Sequence, residues 1–345
     1  MMKSRVLIIG DGRIGRAAAY YCRRNPSISR VDFLAAQKRL SSYDVFIGAL
    51  PGELGEKCLA LALRWKKNLL DISDVDPPFY LRHRKAIEKC GILVIPGCGF
   101  SPGLVNCILG REAVDNALTR DIEIKAGSLA RAQYYFPFLW CFEDLVLEHQ
   151  VPSWQIMDGR KIKCGPFEGY KKEKMFGISA ESYYCASGFE NVYEKMPARN
   201  FICRVVRPEG FREFFLFFNE QGFLSGTNCA FSKQVAEARL EDNSTFAEII
   251  FSTGNKKTKW FLKSHSRKNE PFNSMQKITA SVPAVLAGWV ADGTLQKRGL
   301  VFMEDLGKDT VFFSGLVAML RARGIGITRR ARGLTRAIPP ARLGA

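Results

Sequence analysis

The chain opens on an apolar run, Val6-Leu7-Ile8-Ile9, that passes through Gly10-Asp11-Gly12-Arg13-Ile14-Gly15 into the alanine-rich stretch Arg16-Ala17-Ala18-Ala19-Tyr20-Tyr21. Uninterrupted apolar residues bounded by glycines predict a buried strand, and the stretch after them predicts a helix to about Arg24. A turn at Asn25-Pro26 then precedes a short strand over Ile28 to Phe33, a helix over Leu34 to Leu40, and a strand over Asp44 to Leu50 that ends at Pro51-Gly52. Helix Leu54 to Trp65, strand Leu69 to Ile72, helix Phe79 to Lys89 and strand Ile92 to Ile95 follow, closing on the turn Pro96-Gly97-Cys98-Gly99. Strands alternating with helices of this length predict an α/β fold, a Rossmann-type doubly wound parallel sheet over residues 1–118.

From about Asp121 the period changes to strand-like alternation, as in Ile122-Glu123-Ile124-Lys125 and Phe201 to Val206. This predicts a second, α+β domain over residues 119–275, built on a mostly antiparallel sheet. Helical patterns return at Gln276 to Ala291 and Val311 to Arg323, so residues 276–328 are expected to fold back and complete the first domain. Residues 329–345 hold five arginines and no acid, and read as a solvated, disordered extension.

Composition narrows the function classes. With 345 residues, 47% hydrophobic and 25% charged, the chain is long enough for two domains with ordinary cores. No apolar run approaches the roughly 20 residues needed to span a bilayer. The first residues lack a signal-peptide pattern, so a cytoplasmic protein without membrane contact is expected. Ten cysteines are scattered without a C-x-x-C pair or zinc spacing, and are expected to be reduced and mostly buried, with no metal bound. The net charge of +17 would suit a polyanion, but outside the tail the basic residues are dispersed. No helix-turn-helix, finger or RNP pattern is present, so no specific nucleic-acid partner is expected.

The first turn carries candidate chemistry. Gly10 permits a tight turn, Gly12 lets backbone N–H groups approach a pyrophosphate, and Gly15 lets helix and strand pack closely. With Arg13 and Ile14 between them, these residues place a helix N-terminus against negative charge, the arrangement a dinucleotide requires. Asp32 falls about 20 residues past Gly12, where an acid for the ribose 2′-hydroxyl is expected. That use would favour NAD; otherwise either Gln37, Lys38 and Arg39 receive the 2′-phosphate of NADP or adenosine binding is weakened.

Further segments carry a family resemblance. Tyr43 to Gly52, Leu70-Asp71-Ile72-Ser73 (a "VD(I/V)S" strand end), and Gly97-Cys98-Gly99-Phe100-Ser101-Pro102-Gly103-Leu104-Val105-Asn106 (an "aGfaPGLsN" turn) occur in order. Trp140 with Glu143-Asp144-Leu145, Val151-Pro152 and Asp158-Gly159-Arg160 follows, then Arg207-Pro208-Glu209-Gly210 ("RwPGh") and Met275 to Gly293 with Gly299-Leu300-Val301. In these the chain resembles the saccharopine dehydrogenase family, most closely its lysine dehydrogenase branch, over about residues 4 to 328. The resemblance implies an oxidoreductase that uses NAD or NADP on a C–N bond of an amino acid, and a homodimer formed through the second domain's sheet. A nicotinamide would then lie by Ala49, Leu50, Pro51, Ser73 and Gly97, at the carboxyl ends of the strands. The turn from Phe100 and Ser101 to Asn106 would hold a substrate carboxylate, and Arg207 would either grip one or sit in a surface ion pair. Trp140, with Tyr134 or Tyr135, would wall the pocket or belong to the core. Asp71, Asp74 and Asp76 follow a strand end and are the candidates for proton transfer, with an N-cap or loop role as the alternative for the last two.

The chain also departs from the family. Between the first helix and Asp44 there is room for one strand and one helix where two of each are usual, so one strand-helix unit is missing. Val31-Asp32 looks more like the family's third strand than its second. Its "GGLP" appears as Ala126-Gly127-Ser128-Leu129-Ala130 and its "WSP" as Trp140-Cys141-Phe142. Lysine is therefore not assumed as substrate. Two alternatives stand beside the dehydrogenase: a member that kept the fold and lost turnover, serving as a ligand-binding or scaffold protein, and a carboxyspermidine-type imine reductase, which an acid-lined pocket would support.

Overall fold

Val6 and Ile8 face one apolar core and Leu7 and Ile9 another, so the opening run is a strand covered on both sides. The computed structural model describes residues 4–36, 39–115, 121–130, 140–185, 189–237, 242–254 and 256–331. The first unit comprises β1 (Ser4–Ile9), α1 (Arg13–Arg23), β2 (Ile28–Phe33), β3 (Val45–Gly48), α2 (Gly52–Trp65), β4 (Asn68–Asp71), α3 (Pro77–Arg82), α4 (Arg84–Cys90), β5 (Leu93–Ile95) and α5 (Leu104–Asp115). The second comprises β6 (Asp121–Ala130), α6 (Phe142–Glu148), β7 (Ser153–Met157), β8 (Arg160–Cys164), β9 (Lys171–Met175), β10 (Ile178–Tyr184) and α7 (Glu190–Lys195). It continues with β11 (Asn200–Pro208), α8 (Phe211–Glu220), α9 (Gly226–Glu237), β12 (Asn243–Thr253) and β13 (Lys256–Ser266). The chain then returns through α10 (Ser274–Asp292), β14 (Gly299–Leu300), α11 (Met303–Gly307), α12 (Thr310–Ala322) and β15 (Gly326–Ala331).

The first sheet has six strands in the order β14-β5-β4-β3-β1-β2, every neighbour parallel. β2 pairs directly with β1, Asp32 opposite Leu7, and is the sheet edge. It therefore takes the place of a second strand, not a third as expected, and the sheet is short by one strand and its helix. The helix expected over Leu34 to Leu40 is replaced by single 3-10 turns at Leu34–Ala36 and Leu40–Ser42. The connection is too short for a full crossover, and the ring of Tyr43, 1% exposed, packs into the core with Leu7, Ile9 and Leu40. The helix expected over Phe79 to Lys89 is broken at His83, whose Nδ1 pairs with the Phe79 carbonyl at 2.9 Å.

The second sheet has nine strands; seven follow the path β15-β13-β12-β6-β11-β10-β9, with β7 against β11 and β8 against β7. Among the described residues only β6 and β11 are parallel neighbours in it. Ile122, Ile124, Phe201, Ile249 and Trp260 from this sheet share one core with Val6, Ile8 and the buried face of α10. α10 starts at a capping box between Asn273 and Gln276, and Gln276 Nε2 donates to the Arg13 carbonyl at 2.9 Å, tying it to the glycine turn.

Arg329 and Arg330, expected in a solvated tail, are residues of β15. Arg329 bonds both oxygens of Glu112, whose carboxylate also accepts from Trp260 Nε1 at 2.7 Å. A buried acid on α5 thus draws this arginine into the sheet. Residues 332–345 lie outside the described residues, as do Gln37, Lys38, Tyr134 and Tyr135. Among the described residues no helix is long and apolar enough to cross a membrane.

Candidate active site

A cleft of about 820 Å³ opens at the carboxyl ends of β3, β4 and β5, and its far wall belongs to the second domain. Gly12, Arg13 and Ile14 line one side of it, with Ala49 to Pro51, Ser73, Asp74, Asp76, Gly97, Phe100 and Ser101. Trp140, Glu148, Cys185 and Arg207 face them.

The three glycines of the first turn do different things. Gly10 has φ +117°, and a Cβ there would lie 2.4 Å from the Ala49 carbonyl oxygen. A Cβ on Gly15 would lie 2.0 Å from the Gly10 carbonyl oxygen. Both glycines thus shape the turn, without lining the cleft. A Cβ on Gly12 would meet nothing within 4 Å, and Gly12 lines the cleft at the N-cap of α1. Its missing side chain leaves a cradle before a helix N-terminus, the fit a diphosphate needs.

Asp32 stands apart from the cleft lining. Its Oδ2 accepts from the Tyr43 hydroxyl at 2.7 Å and from Arg30 Nε at 2.5 Å. Burial pushes its carboxyl up, but Tyr43 and Arg30 hold it below the usual range, so it stays ionised.

Asp71 is fully buried and does not line the cleft, so it is not placed for proton transfer. Its Oδ1 accepts from the Ser73 N–H at 2.8 Å and its Oδ2 from the Tyr80 hydroxyl at 2.8 Å. Burial outweighs these bonds and raises its pKa. Ser73 Oγ in turn accepts from the Leu50 N–H at 3.2 Å, so the carboxylate orders the loops after β3 and β4 from below. Cys98, in the loop after β5, is held to the Asp71 carbonyl, and burial pushes its thiol well up. Asn106 also lies off the cleft lining, because its Oδ1 accepts from the Gly103 N–H at 3.0 Å and closes the turn before α5. Asp74 and Asp76 do reach the cleft, and burial raises the pKa of Asp76.

Arg207 is 2% exposed, so it is not in a surface pair. Its Nη2 donates to Glu148 Oε2 at 2.8 Å, and the Trp140 ring centroid lies 5.6 Å from the guanidinium carbon. Cys185 Sγ donates to Glu148 Oε1 at 3.2 Å. Next to this pair His149 is sealed among Phe167, Tyr183, Phe211 and Phe215, and burial pushes its pKa down to about 4. Glu148 and Cys185 were not foreseen from sequence. A signal existed for the first: an arginine in the apolar strand Phe201 to Val206 and beyond requires a buried acid, though not a particular one.

No family model matches the chain, and no curated protein does. Among solved structures it is similar to the apo, histidine-tagged saccharopine dehydrogenase (L-Glu forming) of Saccharomyces cerevisiae. The identity is 15% and the TM-score 0.73, over 95% of this chain and 99% of that one. It is also similar, at 13% identity and a TM-score of 0.46, to C. glutamicum DAP dehydrogenase in complex with DAP, over 88% and 94% of the chains. The first of these likenesses shows that the two-unit α/β fold is the one a saccharopine dehydrogenase adopts.

Proposed function

We propose that the protein is an oxidoreductase that uses NAD or NADP on a C–N bond of an amino acid. The observation that carries this reading is the open cradle at Gly12, facing a cleft whose opposite wall offers a buried arginine and a tryptophan. The fold of the yeast saccharopine dehydrogenase supports it. When bound, the dinucleotide supplies hydride transfer at the carbon bearing nitrogen. The chain's own part is to hold the pyrophosphate on the first turn of α1 and to order the strand-end loops through Asp71 and Ser73. Asp74 or Asp76, both in the cleft lining, holds a proton. Asp76, its pKa raised by burial, retains that proton to higher pH than an ordinary carboxyl. The cleft lining mixes six acids with Arg13, Lys161, Arg204, Arg207 and Lys233.

The test is a titration with NADH and separately NADPH, followed by energy transfer from tryptophan to the reduced nicotinamide. Micromolar binding of either supports the reading; preference for NADH points to Asp32, preference for NADPH to the side of Arg39. The short connection between β2 and β3 favours a second reading, a ligand-binding protein without turnover. Absence of binding at millimolar dinucleotide would make that reading the one to keep.

A further inference from the structure

Cys185 and Cys203 stand directly opposite each other in the cleft wall. The antiparallel register of β10 and β11 sets Tyr183 against Val205 and Tyr184 against Arg204. The next step sets Cys185 against Cys203, whose carbonyl accepts from the Cys185 N–H at 3.1 Å. Opposed residues of an antiparallel pair project to the same face. Two residues back along each strand, Tyr183 and Val205 are buried in one cluster, and Cys185 packs against it. Both cysteines line the cleft, and both are thiols.

The spacing suits a covalent bond. Opposed, hydrogen-bonded residues have Cα atoms about 5.5 Å apart, inside the range of about 4.4–6.8 Å that a disulfide spans. Their Cβ atoms, ordinarily about 4.5–5.5 Å apart, have to close to about 3.8 Å. The backbone can yield by that much here. Cys185 lies just past the end of β10, and the Cys203 N–H donates to Gln155 Oε1 of β7 at 2.7 Å instead of back across the pair, so one backbone bond ties the two residues where two are usual.

We infer that Cys185 and Cys203 are a redox modification site, a dithiol that hydrogen peroxide converts to a cross-strand disulfide in the wall of the cleft. The sulfur of Cys185, the more exposed of the two, attacks one peroxide oxygen and the O–O bond breaks, leaving a sulfenic acid. Its proton passes by way of Glu148 Oε1, which accepts the Cys185 S–H bond at 3.2 Å, to the departing hydroxide, which leaves as water. The Cys203 sulfur then attacks the Cys185 sulfur, the S–O bond breaks, and the Cys203 proton leaves with that hydroxyl as a second water. Two thiols thus lose two electrons and two protons, and one peroxide is reduced to two waters. Burial and the Glu148 carboxylate push the Cys185 thiol well up, and the thiolate is the attacking form, so the bond forms at the slow end of the seconds-to-hours range. Closing it draws the Cys185 sulfur toward Cys203 and removes the S–H donor from Glu148, the carboxylate that holds Arg207. The site goes beyond the oxidoreductase reading and does not depend on it.

The inference is tested on the full-length protein, treated with hydrogen peroxide, denatured, alkylated with iodoacetamide and digested with trypsin without reduction. Trypsin puts the two cysteines on separate peptides, residues 175–195 and 200–204, each with one cysteine. Mass spectrometry should find these two peptides joined, lighter by two hydrogens than their sum, and dithiothreitol should separate them. The opposition of the two residues exists only in the folded sheet, so the same treatment in urea should spread the links over other cysteines. Cys203→Ser should leave Cys185 as a sulfenic acid that dimedone traps, and Cys185→Ser should leave Cys203 open to alkylation as in untreated protein. Absence of the joined peptides from the folded protein, Cys185 joined as often to another cysteine, or a link formed equally well in urea would overturn the inference.

Discussion

Alanine at Gly12 and alanine at Gly15 should have opposite consequences, although the two positions lie three residues apart in one turn. Gly15→Ala sets a methyl 2.0 Å from the Gly10 carbonyl oxygen and 2.9 Å from its carbon, so helix and turn must separate. Overpacking of this kind costs about 1–3 kcal/mol. At about 2.1 cal/mol/K per residue over 345 residues, each kcal/mol lowers the Tm by roughly 1.4 °C, giving a fall of about 1.4–4 °C. Gly12→Ala meets no atom within 4 Å. It also keeps a backbone, φ −67° and ψ −171°, that alanine adopts freely. Its stability should stay within about 0.5 kcal/mol of the parent. Its methyl nevertheless fills the cradle that a diphosphate would occupy, so dinucleotide affinity should fall at least tenfold, about 1.4 kcal/mol. Thermal melts with and without NADH read both effects at once, since ligand at about 100 times its Kd stabilises by about 2.7 kcal/mol. The parent should show that shift and Gly12→Ala should lose most of it. A Gly12→Ala protein that binds NADH as the parent does, or that melts as low as Gly15→Ala, would refute the assignment of the cradle.

Three other substitutions probe the groups around the cleft. The pKa of Asp71 is raised by burial, so its stabilising contribution is complete below the ordinary carboxylate value and is lost as pH rises through the elevated one. Asp71→Asn, which cannot ionise, should gain stability relative to the parent in melts run from pH 4 to pH 8; a constant difference would contradict the shift. His149 is shifted the other way, from 6.5 to about 4, so its contribution is complete above 6.5 and is lost as pH falls toward 4. That loss amounts to about 3 kcal/mol at 1.36 kcal/mol per pKa unit, and denaturation midpoints of His149→Phe should lack it. Glu112→Ala would strand the Arg329 guanidinium and the Trp260 N–H, at a cost of about 3–5 kcal/mol in urea unfolding. A cost under about 1 kcal/mol would mean that β15 is held by its backbone alone.

What sequence made legible follows the range of the forces involved. The parallel sheet was readable because β1, β3 and β5 hold apolar runs that end at glycine or proline, and burial on both faces is a local demand on every residue of such a run. The glycine turn was readable because its steric requirements lie within six residues. The helix between β2 and β3 was misread because residues 34 to 40 have helical composition, while the length of the connection and the Tyr43 ring decide what can form there. Asp71 and Asn106 were misread for a related reason. Their positions after a strand and before a helix are those of working residues, but their side chains turn inward to Tyr80 and to Gly103. Position in a loop fixes where a backbone goes; which way a carboxylate points depends on the partner it finds in another element. Glu148 is the extreme case, since nothing within ten residues of it in sequence calls for an acid, and only the buried Arg207 on β11 does. A charge demanded by a distant countercharge is visible in sequence only as a debt on one side, so the residues that answer such debts are where a structure adds most to the reading of a site.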